Sequence, residues 1–400
     1  MFRITCILIS VLLSGCGGGG GGGTSSGSSV PAPIPAAAVP ATSVVTNGTL
    51  IGTYNALSVR YSQTNTVANQ VFGNDVVYTE ADFNSGSENF FSGSELNLSA
   101  YSFVDGKSIG TANASSSANT ISGVQVATAV DGLVAAYAFP GVNSTAEEVF
   151  GVHIKRGYNQ ASLGIEHMPL LTGPFGMVSL SLNGEVQVGE FTFSNASGQT
   201  TGTAVGRGFV STSGVAFQTS AQAFVDEQFS IVSGNFRLLN SDWPWFHTEN
   251  FSINMTGRST AAGLGNALTF IVKPSETLPV NRGLFHVFQW TAMASSTAVT
   301  GTTASTLPNV DVVRVGTINF ANNTSVFQSV LDTVNNNYQF SKVDTFGHLM
   351  QFEQIQAINE QRHRLRFFMT QNQNYLFGVD HDGSEDGRVS LFIGIREAKQ

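Results

Sequence analysis

Apolar and polar residues alternate with a period of two through most of this chain, and no other feature restricts its fold as strongly. Glu185-Val186-Gln187-Val188-Gly189-Glu190-Phe191-Thr192-Phe193 is the clearest run, and Gln228–Val232 and Asn250–Met255 repeat the pattern. Period two sends successive side chains to opposite faces, so each run reads as a strand with one face for a core and one for water. Between the runs stand Asp105-Gly106, Asp131-Gly132, Asn183-Gly184, Asn322-Asn323 and Asp382-Gly383. Such pairs tolerate the positive φ that tight hairpins require. The expected fold class is therefore all-β and antiparallel, in up-and-down barrel-like or sandwich units. Residues 349–364, with Met350, Ile355 and Ile358 apolar, are the one stretch whose spacing predicts a helix.

Self-similarity divides this β region. Gly52-Thr53-Tyr54, Gly173-Pro174-Phe175 and Gly283-Leu284-Phe285 each open an apolar run, at separations of 121 and 110 residues. Closing segments echo as well. At one shared offset of 243, Leu133-Val134-Ala135-Ala136 aligns with Leu376-Phe377-Gly378-Val379, and Val149-Phe150-Gly151-Val152 with Phe392-Ile393-Gly394-Ile395. Both closing strands run into basic residues, Lys155 and Arg156 in one and Arg396 in the other, and Thr269 to Lys273 would close a middle unit. The expectation is three related β units, at 46–160, 161–280 and 281–400. Their length and pattern resemble calycin-type, lipocalin-like barrels repeated in bacterial surface lipoproteins. That likeness carries over no ligand residue.

The start of the chain carries an address. Met1-Phe2-Arg3 is a short positive start, and residues 4–13 form an apolar run about half the roughly twenty residues that a transmembrane helix needs. This is the core of a signal peptide, residues 1–15. Leu13-Ser14-Gly15-Cys16 then resembles the lipobox of bacterial lipoproteins. The resemblance implies cleavage before Cys16, acylation of its thiol, and a membrane anchor in which each buried methylene contributes about 0.8 kcal/mol. Gly17 rather than Asp after the Cys resembles lipoproteins sent on to the outer membrane. An ordinary secretory cleavage, leaving Cys16 a free thiol, is the alternative. Residues 16–45 are Gly-, Ser-, Pro- and Ala-rich and read as a tether without a partner of its own.

Cysteine usage and charge then exclude several classes. The chain has 2 Cys, and both belong to its first sixteen residues, so the body has no disulfide, Cys-ligated zinc or Cys nucleophile. Without crosslinks it must hold together by packing, for which 30 Phe provide material. Only 18 Lys and Arg against 27 Asp and Glu leave no basic footprint for nucleic acid.

Catalytic strings fail in context. Gly106-Lys107-Ser108-Ile109-Gly110 matches the Gly-x-Ser-x-Gly elbow, but the residues after it are polar and small, with no helical face to support an oxyanion hole. The 7 His are scattered without metal-ligand spacing. No catalytic residue is assigned, and the chain is read as a non-enzyme. Asp380, Asp382 and Asp386, with Ser384, place oxygens at alternate positions as a calcium loop does. Glu385 stands where an EF-hand needs Gly, and a solvated hairpin loop explains the same residues. No other cofactor is expected.

Two clusters suit a partner. Trp243-Pro244-Trp245-Phe246-His247 packs three aromatics into five residues, and exposed aromatic faces stack on sugars or a partner's side chains. Core packing is the alternative. Residues 362–368 alternate basic and apolar, so one strand face would be positive, either solvated or meeting an anionic glycolipid. The reading is a membrane-anchored, non-catalytic β-rich lipoprotein, binding a protein or glycan through Trp243, Trp245 and Phe246 or serving a structural role at the bacterial envelope. A barrel holding a small apolar ligand is the second reading and an envelope enzyme the third.

Overall fold

The computed structural model describes residues 53–62, 77–82, 89–91, 97–103, 109–115, 120–139, 147–157, 167–181, 185–195, 199, 201–212, 221–232, 235–238, 246–256, 267–277, 283–293, 313–321, 324–328, 333–343, 346–354, 363–382 and 388–397. The expected all-β, antiparallel class holds: the described residues form three sheets of eight strands. The first contains β1 (Thr53–Ser62), β2 (Val77–Asp82), β3 (Asn89–Phe91), β4 (Asn97–Phe103), β5 (Ile109–Ser115), β6 (Thr120–Thr128), β7 (Val134–Phe139) and β8 (Glu147–Lys155). After a short helix α1 (Met168–Leu171), the second contains β9 (Gly173–Ser181), β10 (Glu185–Asn195), β11 (Thr201–Thr212), β12 (Gln222–Val232), β13 (Asn235–Leu238), β14 (Phe246–His247), β15 (Ile253–Thr256) and β16 (Ala267–Val272). The third contains β17 (Leu284–Met293), β18 (Val313–Asn319), β19 (Thr324–Gln328), β20 (Thr333–Lys342), β21 (Met350–Gln354), β22 (His363–Met369), β23 (Tyr375–Asp382) and β24 (Arg388–Arg396).

Each sheet is a meander whose first and last strands pair, β1 with β8, β9 with β16 and β17 with β24. The third closes into a barrel. Among the described residues the first sheet is open between β3 and β4 and the second between β13 and β14. Closure removes the edges that would otherwise pair with other chains.

The three opening aromatics occupy one structural position. Tyr54, Phe175 and Phe285 are all fully buried. Tyr54 lies opposite Lys155 and Phe285 opposite Arg396, while the Lys273 ammonium sits 5.7 Å from the Phe175 ring centroid. The Gly before them earns its place by conformation, with φ of 105° at Gly173 and 81° at Gly283.

A single turn geometry also recurs. Gly132, Phe251 and Gln373 have φ of 60°, 54° and 56°. Their N–H groups donate to Ala129, Thr248 and Thr370 carbonyls at 2.9, 2.9 and 2.7 Å. Just before each, an Asx side chain accepts from the backbone two residues on: Asp131 from Leu133, Asn250 from Ser252 and Asn372 from Asn374. The carbonyls of Leu133, Ser252 and Asn374 then accept from Lys155, Lys273 and Arg396 at 2.8, 2.8 and 2.9 Å. Matching these turns aligns Val134 with Tyr375, a separation of 241. The offset of 243 read from the sequence is thus two residues out, a slip that period two conceals because it leaves every side chain on the same face.

Both faces of many strands are buried. Inside the third barrel Phe285, Phe320, Phe367 and Phe392 follow one another at centroid distances of 5.4, 5.9 and 6.4 Å. Outside it, Trp290 stacks on Phe150 of the first sheet at 6.4 Å, and Phe377 packs on Phe270 of the second at 4.9 Å. These outward residues belong to one apolar core shared by the three sheets, which also takes in Val134, Ile154, Val178 and Leu180. Residues Thr42–Gln400 accordingly form one compact unit. Double-sided burial explains the near-continuous apolar runs at 375–379 and 391–395, where alternation fails.

Two expectations are corrected here. Residues 350–354 and 363–369 are strands β21 and β22, not a helix, because their apolar side chains serve opposite faces of a barrel wall. Nor is the face of β22 a solvated positive one at Arg366. That side chain is buried, its guanidinium lies 4.1 Å from the Phe209 centroid, and its Nε donates to Gln351.

Candidate functional site

Strand direction sorts the connections into two ends. In each meander the chain enters at one end, and the recurring turns at 129–133, 248–252 and 370–374 lie at that same end. There the units are fastened. Gly157 donates to the His247 carbonyl at 3.0 Å, and Ser275 to that of Met369 at 2.7 Å, so the segment leaving each of the first two sheets is pinned beside the turn of the next. Phe251 stacks on His247 at 4.2 Å and faces His167 at 6.5 Å. Asp131 meets Asn372, Asn374 and Tyr375 of the third barrel.

The strand ends that flank residues 63–76, 239–245, 257–266, 294–312 and 383–387 lie at the opposite end. Trp243, Trp245 and Asp386 lie outside the described residues, as does Cys16. Phe246 opens β14, is half-buried and packs against the shared core. Asp382 ends β23.

The lumen of the third barrel changes character along its length. On β17 the inward residues run Phe285, Val287, Gln289 and Thr291, and on β24 Phe392 is followed outward by Ser390. Gln289 Nε2 donates to Asp380 Oδ2 at 3.2 Å, and the hydroxyls of Thr291 and Ser390 are 2.8 Å apart. Arg314 stands opposite Gln289 on β18, on the same inward face, since Val313 and Val315 point to the outer core. All but Arg314 are more than nine-tenths buried. Asp380 therefore faces the barrel interior rather than a hairpin loop. Among the described residues no group of three His, Cys, Asp or Glu is placed to hold a metal ion.

His153, His167, His247 and His286 make contacts within the fold. His153 is fully buried beside Tyr137 at 5.1 Å, and burial lowers its pKa to about 3. Burial also lowers His247 to about 4, with nearby His167 acting in the same direction. His286 approaches Glu397 at 3.6 Å. After Ser108 the chain continues as strand β5, not as the helix that a nucleophile elbow requires. Alternation on β17 and β23 was the only signal that could have placed Gln289 and Asp380 together, and it does not reveal which strands become neighbours.

No protein-family model matches the chain, and no curated protein does. Among solved structures it is similar to transferrin binding protein B. The intact Ap-TbpB with N and C lobes is 10% identical, with 89% of this chain and 78% of that one covered and a TM-score of 0.25. The isotype 1 protein from serogroup B Neisseria meningitidis is 8% identical, with 88% and 77% covered and a TM-score of 0.26. A double mutant of the Haemophilus parasuis Hp5 protein is 8% identical, with 90% and 78% covered and a TM-score of 0.24. Likeness at these scores carries no part of the argument, and the fold rests on its own strand pairing.

Proposed function

We propose that the chain is a membrane-anchored, non-catalytic β-rich lipoprotein of the bacterial outer membrane, whose body presents a binding surface for a protein or glycan. Support comes from the lipobox-like Leu13-Ser14-Gly15-Cys16 and from one observation on the body: the strand ends joined by the longest stretches of sequence lie at the end of each sheet away from the fastened turns. Surface connections on a rigid scaffold vary without cost to the core, which is where binding residues collect. In this reading Trp243 and Trp245 supply contact area, and residues 16–45 hold the body clear of the lipid.

Two measurements test it. Labelled palmitate enters the wild-type protein and fails to enter Cys16→Ser; equal incorporation removes the anchor. The purified full chain, in detergent, is probed against envelope glycans and envelope or host proteins beside a Trp243→Ala/Trp245→Ala variant. Loss of a saturable partner in the variant supports the assignment, and equal binding by both proteins removes these two residues from it.

A further inference from the structure

We propose that the polar half of the third barrel's lumen is a binding site for a small polyhydroxylated ligand of sugar-ring size. The floor is closed. A side chain at Gly378 would meet the rings and backbone around Phe367 and Phe392, so nothing passes deeper. Above that floor the described inward residues of β17, β18, β23 and β24 become Gln289, Thr291, Arg314, Asp380 and Ser390, with the apolar Leu365 of β22 opposite Asp380. A lumen filled for stability alone would continue in apolar residues, as its other half does.

One atom points to a missing partner. The Gln289 side chain is 1% exposed; its nitrogen is committed to Asp380, and its Oε1 has no hydrogen-bond partner among the described residues. An acceptor buried in this way is costly unless a donor reaches it. Ligand hydroxyls meet the whole set of groups. They donate to Gln289 Oε1 and the Asp380 carboxylate, and they accept from Arg314 and the Thr291 and Ser390 hydroxyls. An ammonium ligand only donates, and it would have to sit on the face that already carries the Arg314 cation. A carboxylate ligand only accepts and would leave Gln289 Oε1 unmet. This inference goes beyond the surface-binding reading and uses none of its residues.

The test uses the full chain in detergent, titrated with glucose, galactose, mannose and N-acetylglucosamine. One arm offers free sugars and the other offers the same sugars displayed on albumin. Gln289→Leu keeps the size of the side chain and removes the acceptor; Gln371→Leu, at an exposed turn position, is the control. Saturable binding that weakens at least about tenfold in Gln289→Leu but not in Gln371→Leu is the expected result. Binding in the free arm alone identifies a small-molecule ligand, and binding in both arms identifies a glycan terminus. If Gln289→Leu does not fold, Gln289→Met, which likewise lacks the acceptor, replaces it and must also weaken binding. Absence of sugar binding in both arms, binding indifferent to residue 289, or preference for a diamine overturns the proposal. A Trp243→Ala/Trp245→Ala protein keeps this lumen binding, so failure of either reading is seen separately.

Discussion

Tyr375, in the closed third barrel, gives its phenolic hydrogen to the carboxylate of Asp131, which lies in a turn of the first sheet. The same phenol oxygen accepts from the backbone N–H groups of Leu133 and Val134 at 3.1 and 3.2 Å. One side chain thus satisfies three groups across a joint between sheets, and Asn372 and Asn374 hold the other carboxylate oxygen.

Tyr375→Phe keeps the ring and strands the Val134 N–H, while the Leu133 N–H keeps Asp131 as its acceptor. An unsatisfied buried donor costs about 1–3 kcal/mol, so a loss of that size is expected in urea unfolding, with the sheets themselves retained by circular dichroism. Burial, and then the Asp131 charge and hydrogen bond, hold the Tyr375 pKa well above its ordinary value. The unfolded phenol ionises first, so this residue's contribution is intact below pH about 10 and is lost as pH rises beyond it. The variant shows a smaller alkaline loss.

Gly176 faces Phe368 across the second and third sheets, and an added Cβ would lie 2.2 Å from its ring. Gly176→Ala is expected to cost about 1–3 kcal/mol through overpacking. Combining it with Phe368→Leu should cost less than the two single changes together, which a double-mutant cycle measures directly.

Trp290→Ala empties the shared core where Trp290 stacks on Phe150. The expected cost is about 3–5 kcal/mol in the unfolding midpoint. Trp290→Phe should cost less than half as much, since it keeps an aromatic face toward Phe150 and removes an indole N–H that has no partner among the described residues.

Two buried imidazoles make the fold sensitive to acid. His153 and His247 have pKa values lowered to about 3 and about 4. On unfolding both return to about 6.5, so the unfolded chain takes up protons first. Stability is complete above pH about 6.5. Below it, each imidazole removes about 1.4 kcal/mol per pH unit until its folded value is reached. His153→Phe should flatten the slope measured by urea unfolding between pH 6 and pH 4, roughly halving the part due to histidine.

Much of the local structure is legible in the residues. Asp131-Gly132 announces a turn, Glu185–Phe193 announces a strand, and Gly-x-aromatic marks the entry to each sheet, because φ and side-chain alternation are decided within a few residues of chain. Residues 350–354 and 363–364 were misread for the same reason: over a short span, apolar spacing that suits a helix also suits a wall wetted on neither face, while Ile355 and Ile358 lie outside the described residues. Trp243, Trp245 and Asp386 lie outside the described residues.

From its residues alone the chain determined its class, its hairpins, its lack of crosslinks and the address-like segment around Cys16, all consequences of local geometry or of residue chemistry. Only the tertiary structure decided that Trp290 and Phe377 look outward into a core shared by three sheets, and that Gln289 and Asp380 meet inside a closed barrel. Those relationships join residues about ninety or more positions apart, and pairing across such distances depends on which faces meet once the strands have formed.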